Sequence, residues 1–265
     1  MGRPMNDTPK FETLRLERSG RRLTITMNRP DVLNAFGGQM HREIVEAFAY
    51  ARDDENSDVV VMTGEGRAFS AGGDIEGMAR VMEDPALFDQ EMDEAQALIL
   101  TLLDIEKPVV ARINGPAIGL GATIALFCDV SFAAESARIG DPHVSIGLVA
   151  GDGGAVIWPA LIGLNRAKEF LLTGDILNAK VAAEIGLVNH VLPDSELDAA
   201  VDGFCERIVS GARPAIRGTK RLLNMELRRL AEALMAPGLV LEAETVRSEE
   251  HRARVEAFLA KSAKS

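Results

Sequence analysis

The chain has 265 residues, of which 47% are hydrophobic and 26% charged, enough for a sizeable core with ordinary globular usage. Its formal net charge of −11 argues against a nucleic-acid or anionic-membrane partner. Its apolar runs are too short to span a bilayer, and the opening MGRPMNDTPK has no apolar core of a secretory signal. In chain order, Arg22–Met27 alternates as a strand, whereas Val59–Thr63, Val109–Ile113 and Val130–Ala133 are short apolar runs expected as buried strands. Residues 39–52 and 86–103 carry helical spacing between them, and β–α alternation of this kind predicts parallel pairing with helices outside. The second half reads as mostly helix: 165–172, 179–185, 195–210, 214–230 and a stretch to about residue 260, with Pro193, Pro214 and Pro237 as boundaries. No linker divides the chain, so one domain is expected, a core over about 10–195 followed by a helical region over about 196–265. Cys128 and Cys205 form no metal-type pair, and buried free thiols in a reducing cytoplasm are expected.

Three glycine-rich segments stand at predicted strand-to-helix joints: AFSAGGDIEGM from Ala68, NGPAIGLGATIALFCD from Asn114 and GDPHVSIGLVAGDGG from Gly140. Glycine lets backbone approach a ligand closely, and the first amides of a helix point outward without an internal partner. Two such amides converging on one point make an oxyanion hole. None of the segments fits a dinucleotide fingerprint or a phosphate loop.

Five motifs in order identify a resemblance to the crotonase (enoyl-CoA hydratase/isomerase) superfamily along almost the whole chain. They are Asn28-Arg29-Pro30 with Asn34-Ala35, Ala68–Ile75, Lys107-Pro108-Val109 with Asn114–Gly121, Cys128-Asp129, and Leu171–Gly174 with Ala182–Val188. The resemblance implies an α/β fold, a spiral of ββα units with a C-terminal helical region that drives trimerisation, as a trimer or pair of trimers. It implies a thioester carbonyl held by the backbone amides of Gly73 and Leu120, with acyl-CoA as substrate and CoA as part of that substrate rather than a cofactor. Ala35, Ala71, Gly72, Asp74 and Ile75 fall along the implied CoA groove, and Phe258 and Lys261 match a C-terminal aromatic–basic pair at the nucleotide. The chain departs from the pattern at Glu76, where many members have a lysine, and at its end, Ser265, which lacks a basic extension.

The two glutamates of a hydratase are the larger departure. The first position holds Thr123 and the second His143. Threonine does not titrate usefully, so activation of water by two carboxylates is excluded here. In their place stand His143 and Asp152, nine residues apart. A histidine is a base near neutral pH, and a carboxylate bonded to one ring nitrogen fixes the other as acceptor. The expectation is therefore proton transfer by His143, with Asp152 setting its tautomer, or Asp152 acting alone. Asp152 also suits a helix N-cap for 153–161, and a strand-like stretch is expected after His143. The same His, Gly-Asp-Gly and Trp158-Pro159 pattern resembles oxo-camphor hydrolase, which implies C–C bond hydrolysis of a β-diketone or 3-oxoacyl compound. Loss of both glutamates also fits a catalytically weak acyl-CoA-binding protein. His41, His190 and His251 are read as structural or surface residues, and no metal-ligand spacing is present.

Overall fold

The computed structural model describes residues 8–262 except 75, 76, 78, 79 and 82–84. Strand β1 (Leu14–Ser19) pairs antiparallel with β2 (Arg22–Met27), and β2 then pairs parallel with β3 (Val59–Gly64). Parallel pairing continues through β4 (Val109–Ile113) and β6 (Val130–Ala134) to β9 (His190–Leu192), giving a six-stranded sheet ordered β1-β2-β3-β4-β6-β9. A small sheet of β5 (Ala117–Ile118), β7 (Arg138–Gly140) and β8 (Ile176–Asn178) lies beside it. β3 is buried at all six residues, as a central strand covered on both faces must be.

The first half repeats a unit of strand, glycine turn and helix. Helix α1 (Met40–Asp53) and α2 (Pro85–Leu103) pack together, and α3 (Leu120–Phe127) is buried along its whole length. Then follow α4 (Gly154–Ile162), α5 (Leu164–Thr173), α6 (Ala179–Glu184) and α7 (Leu197–Val209). One core joins Leu23, Ile25, Met62, Ile99, Ile113, Ile124 and Trp158. Apart from the stretch after His143, the strands and helices predicted before residue 211 agree with these bounds to within one or two residues, whereas the helix expected over 214–230 runs on to Val246. The fold is the α/β spiral core with a helical C-terminal region that the sequence implies.

Pro237 is a correction. It lies inside a single helix, α8 (Arg213–Val246), rather than ending one. A proline removes one backbone bond, but Ala231, Met235, Leu239 and Val246 bury a stripe that continues past it. Gly238 follows and packs directly on Gly151, where a Cβ would lie 2.3 Å from the Gly238 carbonyl oxygen. That close approach brings α8 against the loop before α4. Helix α9 (Glu249–Ser262) closes the chain. Cys128 and Cys205 are buried free thiols, as expected, and burial pushes the Cys205 pKa up to about 11.

Candidate active site

Asn34 ties the opening motif to the segment after β3. Its Oδ1 accepts from the Arg29 amide at 2.9 Å, and its Nδ2 donates to the carbonyls of Glu65 and Ala68, each at 2.9 Å. Phe36 then brackets Gly73: its amide donates to the Gly72 carbonyl, and its carbonyl accepts from the Asp74 amide, both at 2.7 Å. Gly72 takes φ +86° and would place a Cβ 2.8 Å from the Ile118 carbonyl oxygen, so a side chain there is excluded. This close approach seats the Gly72–Gly73 turn against the joint where α3 begins. Gly119 caps α3 at φ +54°, with no side-chain cap, and leaves the Leu120 amide at the free helix end. Gly73 and Leu120 line one cleft of about 680 Å³, its open mouth included.

The third glycine segment brings its acid–base groups to the same cleft. After β7, Asp141-Pro142 leads into a 3-10 turn, His143–Ile146, where a strand-like stretch was expected. The turn closes with the Leu148 amide on the His143 carbonyl at 2.9 Å. The His143 ring lies beside the α3 joint: a Cβ on Gly119 would be 3.5 Å from its Cε1 and 4.0 Å from its Nε2.

The partners of that ring differ from the expectation. Nδ1 is hydrogen-bonded to Asp141 Oδ1, not to Asp152. Asp152 Oδ2 faces the other nitrogen, Nε2, at 3.6 Å, too far for a formed bond. Glu242 Oε1, on α8, faces the same nitrogen at 4.0 Å. Asp152 is not the cap of α4; Gly153 is, and the Gly154 amide supports the Asp152 carboxylate. Asp141, Asp152 and Glu242 are 2%, 3% and 2% exposed. Each keeps one oxygen without a hydrogen-bond partner.

Burial alone would lower the His143 pKa, but the charges of Asp141 and Asp152 outweigh it and hold the imidazole well above its ordinary value. Burial raises Asp152, against the pull of His143, and pushes Glu242 up to about 8. Both directions favour an imidazolium at His143 and a neutral carboxyl at Glu242. The Thr123 hydroxyl is buried without a formed bond and faces Asp152, whose ionised form it favours.

Ala35 is buried and Ala71 half-buried beside the Gly72 turn, while Asp74 lines the cleft and pairs with Arg29 at 3.2 Å. Phe258 is 45% exposed near the end of α9 and does not line the cleft. Ile75, Glu76 and the side chain of Lys261 lie outside the described residues. His41 and His251, read as structural or surface, are both buried and line the cleft. Burial brings the His41 pKa down to about 4. Asp141 and Glu242 escaped the sequence reading. Glu242 carries a signal nonetheless: it is the one acidic residue among the buried residues of α8, on a stripe with Ala231, Met235, Leu239 and Val246. Asp141, His143 and Asp152 place one ligand atom each within 4.8 Å of one another, a spacing that also suits a cation.

The profile of the enoyl-CoA hydratase/isomerase family matches residues 18–264. A crotonyl-CoA hydratase of Syntrophomonas wolfei is 35% identical over 216 residues, covering 81% of this chain and 82% of that protein. An enoyl-CoA hydratase/isomerase from Mycobacterium paratuberculosis superposes with a TM-score of 0.88 at 36% identity, covering 92% and 98% of the two chains. A beta-diketone hydrolase from an Anabaena species, solved with (S)-3-oxocyclohexyl acetic acid, superposes at 0.83 with 32% identity, covering 89% and 95%.

Proposed function

The chain belongs to the enoyl-CoA hydratase/isomerase family, and on that premise we propose that it works on an acyl-CoA carbonyl held by the Gly73 and Leu120 amides, with His143 and Asp152 moving the proton beside it. The observation that carries this reading is the His143 ring, beside Gly119, with Nδ1 occupied by Asp141 and Nε2 facing Asp152. The Asp141 bond leaves Nε2 as the working atom. One proton is then shared between Nε2 and Asp152. Moved toward Asp152, it leaves Nε2 a base; moved back, it makes Nε2 an acid. Two amides on the carbonyl oxygen acidify the adjacent C–H by holding the enolate charge. One group that takes a proton and returns it elsewhere on the enolate performs double-bond migration, whereas hydration calls for the paired glutamates that Thr123 and His143 replace.

A second reading has its own support in Glu242 and in the hydrolase-like superposition. Here Nε2, its own proton first passed to Asp152, takes a proton from water, and the hydroxide adds to one carbonyl of a β-diketone or 3-oxoacyl compound. The C–C bond breaks with its electrons on the departing enolate, which Glu242, neutral at pH 7, protonates; a β-diketone gives a carboxylic acid and a ketone, a 3-oxoacyl compound gives a carboxylic acid and a shorter acyl compound, and the proton taken from water returns to Glu242.

The trimer belongs to the same proposal. Leu222, Leu223 and Met225 stand exposed on α8 and supply an apolar face for it. Light scattering that shows a stable monomer at micromolar concentration contradicts that part.

The deciding experiment offers crotonyl-CoA, a 3-enoyl-CoA, a 3-oxoacyl-CoA and a cyclic 1,3-diketone to the protein, with mass spectrometry in H2O and D2O. The first reading predicts isomerisation of the 3-enoyl-CoA without mass change in H2O and with deuterium uptake in D2O. Ring opening with a gain of one water supports the second. Binding of acyl-CoA with no turnover of any substrate contradicts both and leaves a binding protein.

A further inference from the structure

His251 sits on α9, fully buried, and lines the cleft whose other wall carries His143. The two rings share one anchor. The 3-10 turn that begins at His143 ends at Ile146, and the Ile146 carbonyl accepts the His251 Nδ1 hydrogen at 2.6 Å. The turn thus fixes the second ring relative to the first.

That bond also fixes the tautomer. A neutral imidazole that donates from Nδ1 has a bare lone pair on Nε2. Burial lowers the His251 pKa, so the ring stays neutral at physiological pH. Its Nε2 is out of contact with solvent and has no hydrogen-bond partner among the described residues. Val81, Leu148 and Val246, which line the same cleft, form an apolar cluster with Met92 packed against it. Leaving a buried acceptor unpaired in such surroundings is unfavourable, and an apolar side chain of the same shape would avoid that cost. The position calls for a donor that none of the described residues supplies.

We propose that His251 Nε2 is a specificity-determining acceptor that selects substrates carrying a hydroxyl group at the apolar end of the cleft, away from the carbonyl held at Gly73 and Leu120. A neutral donor is the matching chemistry. The groups on the apolar side offer no counter-charge: His41 and His251 are neutral there, and no lysine or arginine lines the cleft among the described residues. A hydrocarbon of the same size leaves the nitrogen unpaired, and a site built to bond a hydroxyl discriminates strongly against an analogue that lacks the donor.

The inference rests on reading this cleft as the substrate site, but its test needs neither CoA nor turnover. Full-length protein labelled with 15N-histidine is titrated with cyclohexanol and, separately, with cyclohexanone. The two are alike in size, and only the alcohol donates. The free protein should show a bare, pyridine-type Nε2 resonance for His251. Cyclohexanol should move that resonance and bind at least about ten-fold more tightly than cyclohexanone. In His251→Phe the preference should collapse to within about two-fold, and if that variant does not fold, the wild-type comparison decides alone. A protonated Nε2 in the free protein, an unmoved resonance at saturating cyclohexanol, or equal affinity for the two probes overturns the proposal. The acyl-CoA reading fails separately, by the absence of turnover and exchange with acyl-CoA substrates.

Discussion

Two regions of the molecule bury charged side chains, and they treat them in opposite ways. At the end of α1, Lys107 Nζ donates to the carbonyls of Ala51 and Asp54, while Lys220 Nζ donates to the Lys107 carbonyl at 2.9 Å and pairs with Asp129 at 2.7 Å. Both lysines have their acceptors, and the result is a cap on α1 and a clamp from α8 to β4. Around His143 the count goes the other way: Asp141, Asp152, Glu242, Thr123 and His251 each keep a buried polar atom without a partner. Unpaired buried groups are destabilising. A cluster of them at one cleft, which Gly73 and Leu120 also line, marks the part of the protein arranged for a ligand rather than for stability.

The comparison can be broken first at His143. His143→Ala and Asp152→Asn should each lower turnover by about 10²–10⁴-fold, the usual reach of acid–base groups, and the double variant should lose little more than either. Asp152→Asn alone inactive, with His143→Ala active, assigns the work to Asp152 by itself. The backbone side of the same cleft comes next. Gly119→Pro should cost about a hundredfold in kcat, or about 3 kcal/mol, by displacing the Leu120 donor.

The lysine clamp answers to a different measurement. Lys220→Met leaves Asp129 without its cation, and a loss of about 2 kcal/mol in urea unfolding is expected, below the ~3–5 kcal/mol of a fully buried pair because Asp129 is half-buried. Turnover per folded molecule should not change. A fall in kcat without a fall in stability would erase the distinction between the regions.

Glu242 gives a smaller effect with a definite sign. Its folded pKa of about 8 lies above the ordinary 4.5. Stability from its neutral form is therefore complete below about 4.5 and is lost as pH rises through about 8. Glu242→Gln should match the wild-type melting temperature near pH 5 and exceed it at pH 9, and a variant less stable at pH 9 would contradict the buried, protonated state. Smallest of all, Leu120→Ala should change kcat only a few-fold, because the donor there is main chain.

The sequence carried the fold well because its elements are local. Strand runs such as Val109–Ile113 are uniformly apolar, and glycines mark the joints. Pro237 misled because helix α8 buries its own stripe, Ala231, Met235, Leu239 and Val246, against the rest of the fold, which overrides a local breaker. Gly73, Leu120, His143 and Asp152 were legible as members of one cleft, since each sits beside a glycine joint. The pairing within the cluster was not. Asp141, two residues before His143, reaches Nδ1 only because the chain turns at Pro142 instead of extending. Glu242 arrives from 99 residues beyond His143, on a helix whose approach depends on Gly238 packing against Gly151. Spacing along the chain encodes neither.

The claim that His143 and Asp152 share the working proton beside a polarised carbonyl is tested most directly by exchange. Butyryl-CoA, which cannot be hydrated or isomerised, is held with the protein in D2O, and deuterium at the carbon next to the carbonyl is followed by mass spectrometry. The account predicts exchange with the wild-type protein and its loss, by at least about a hundredfold, in both His143→Ala and Asp152→Asn. Exchange at the wild-type rate in both variants, or none with the wild type when butyryl-CoA is shown to bind, contradicts it.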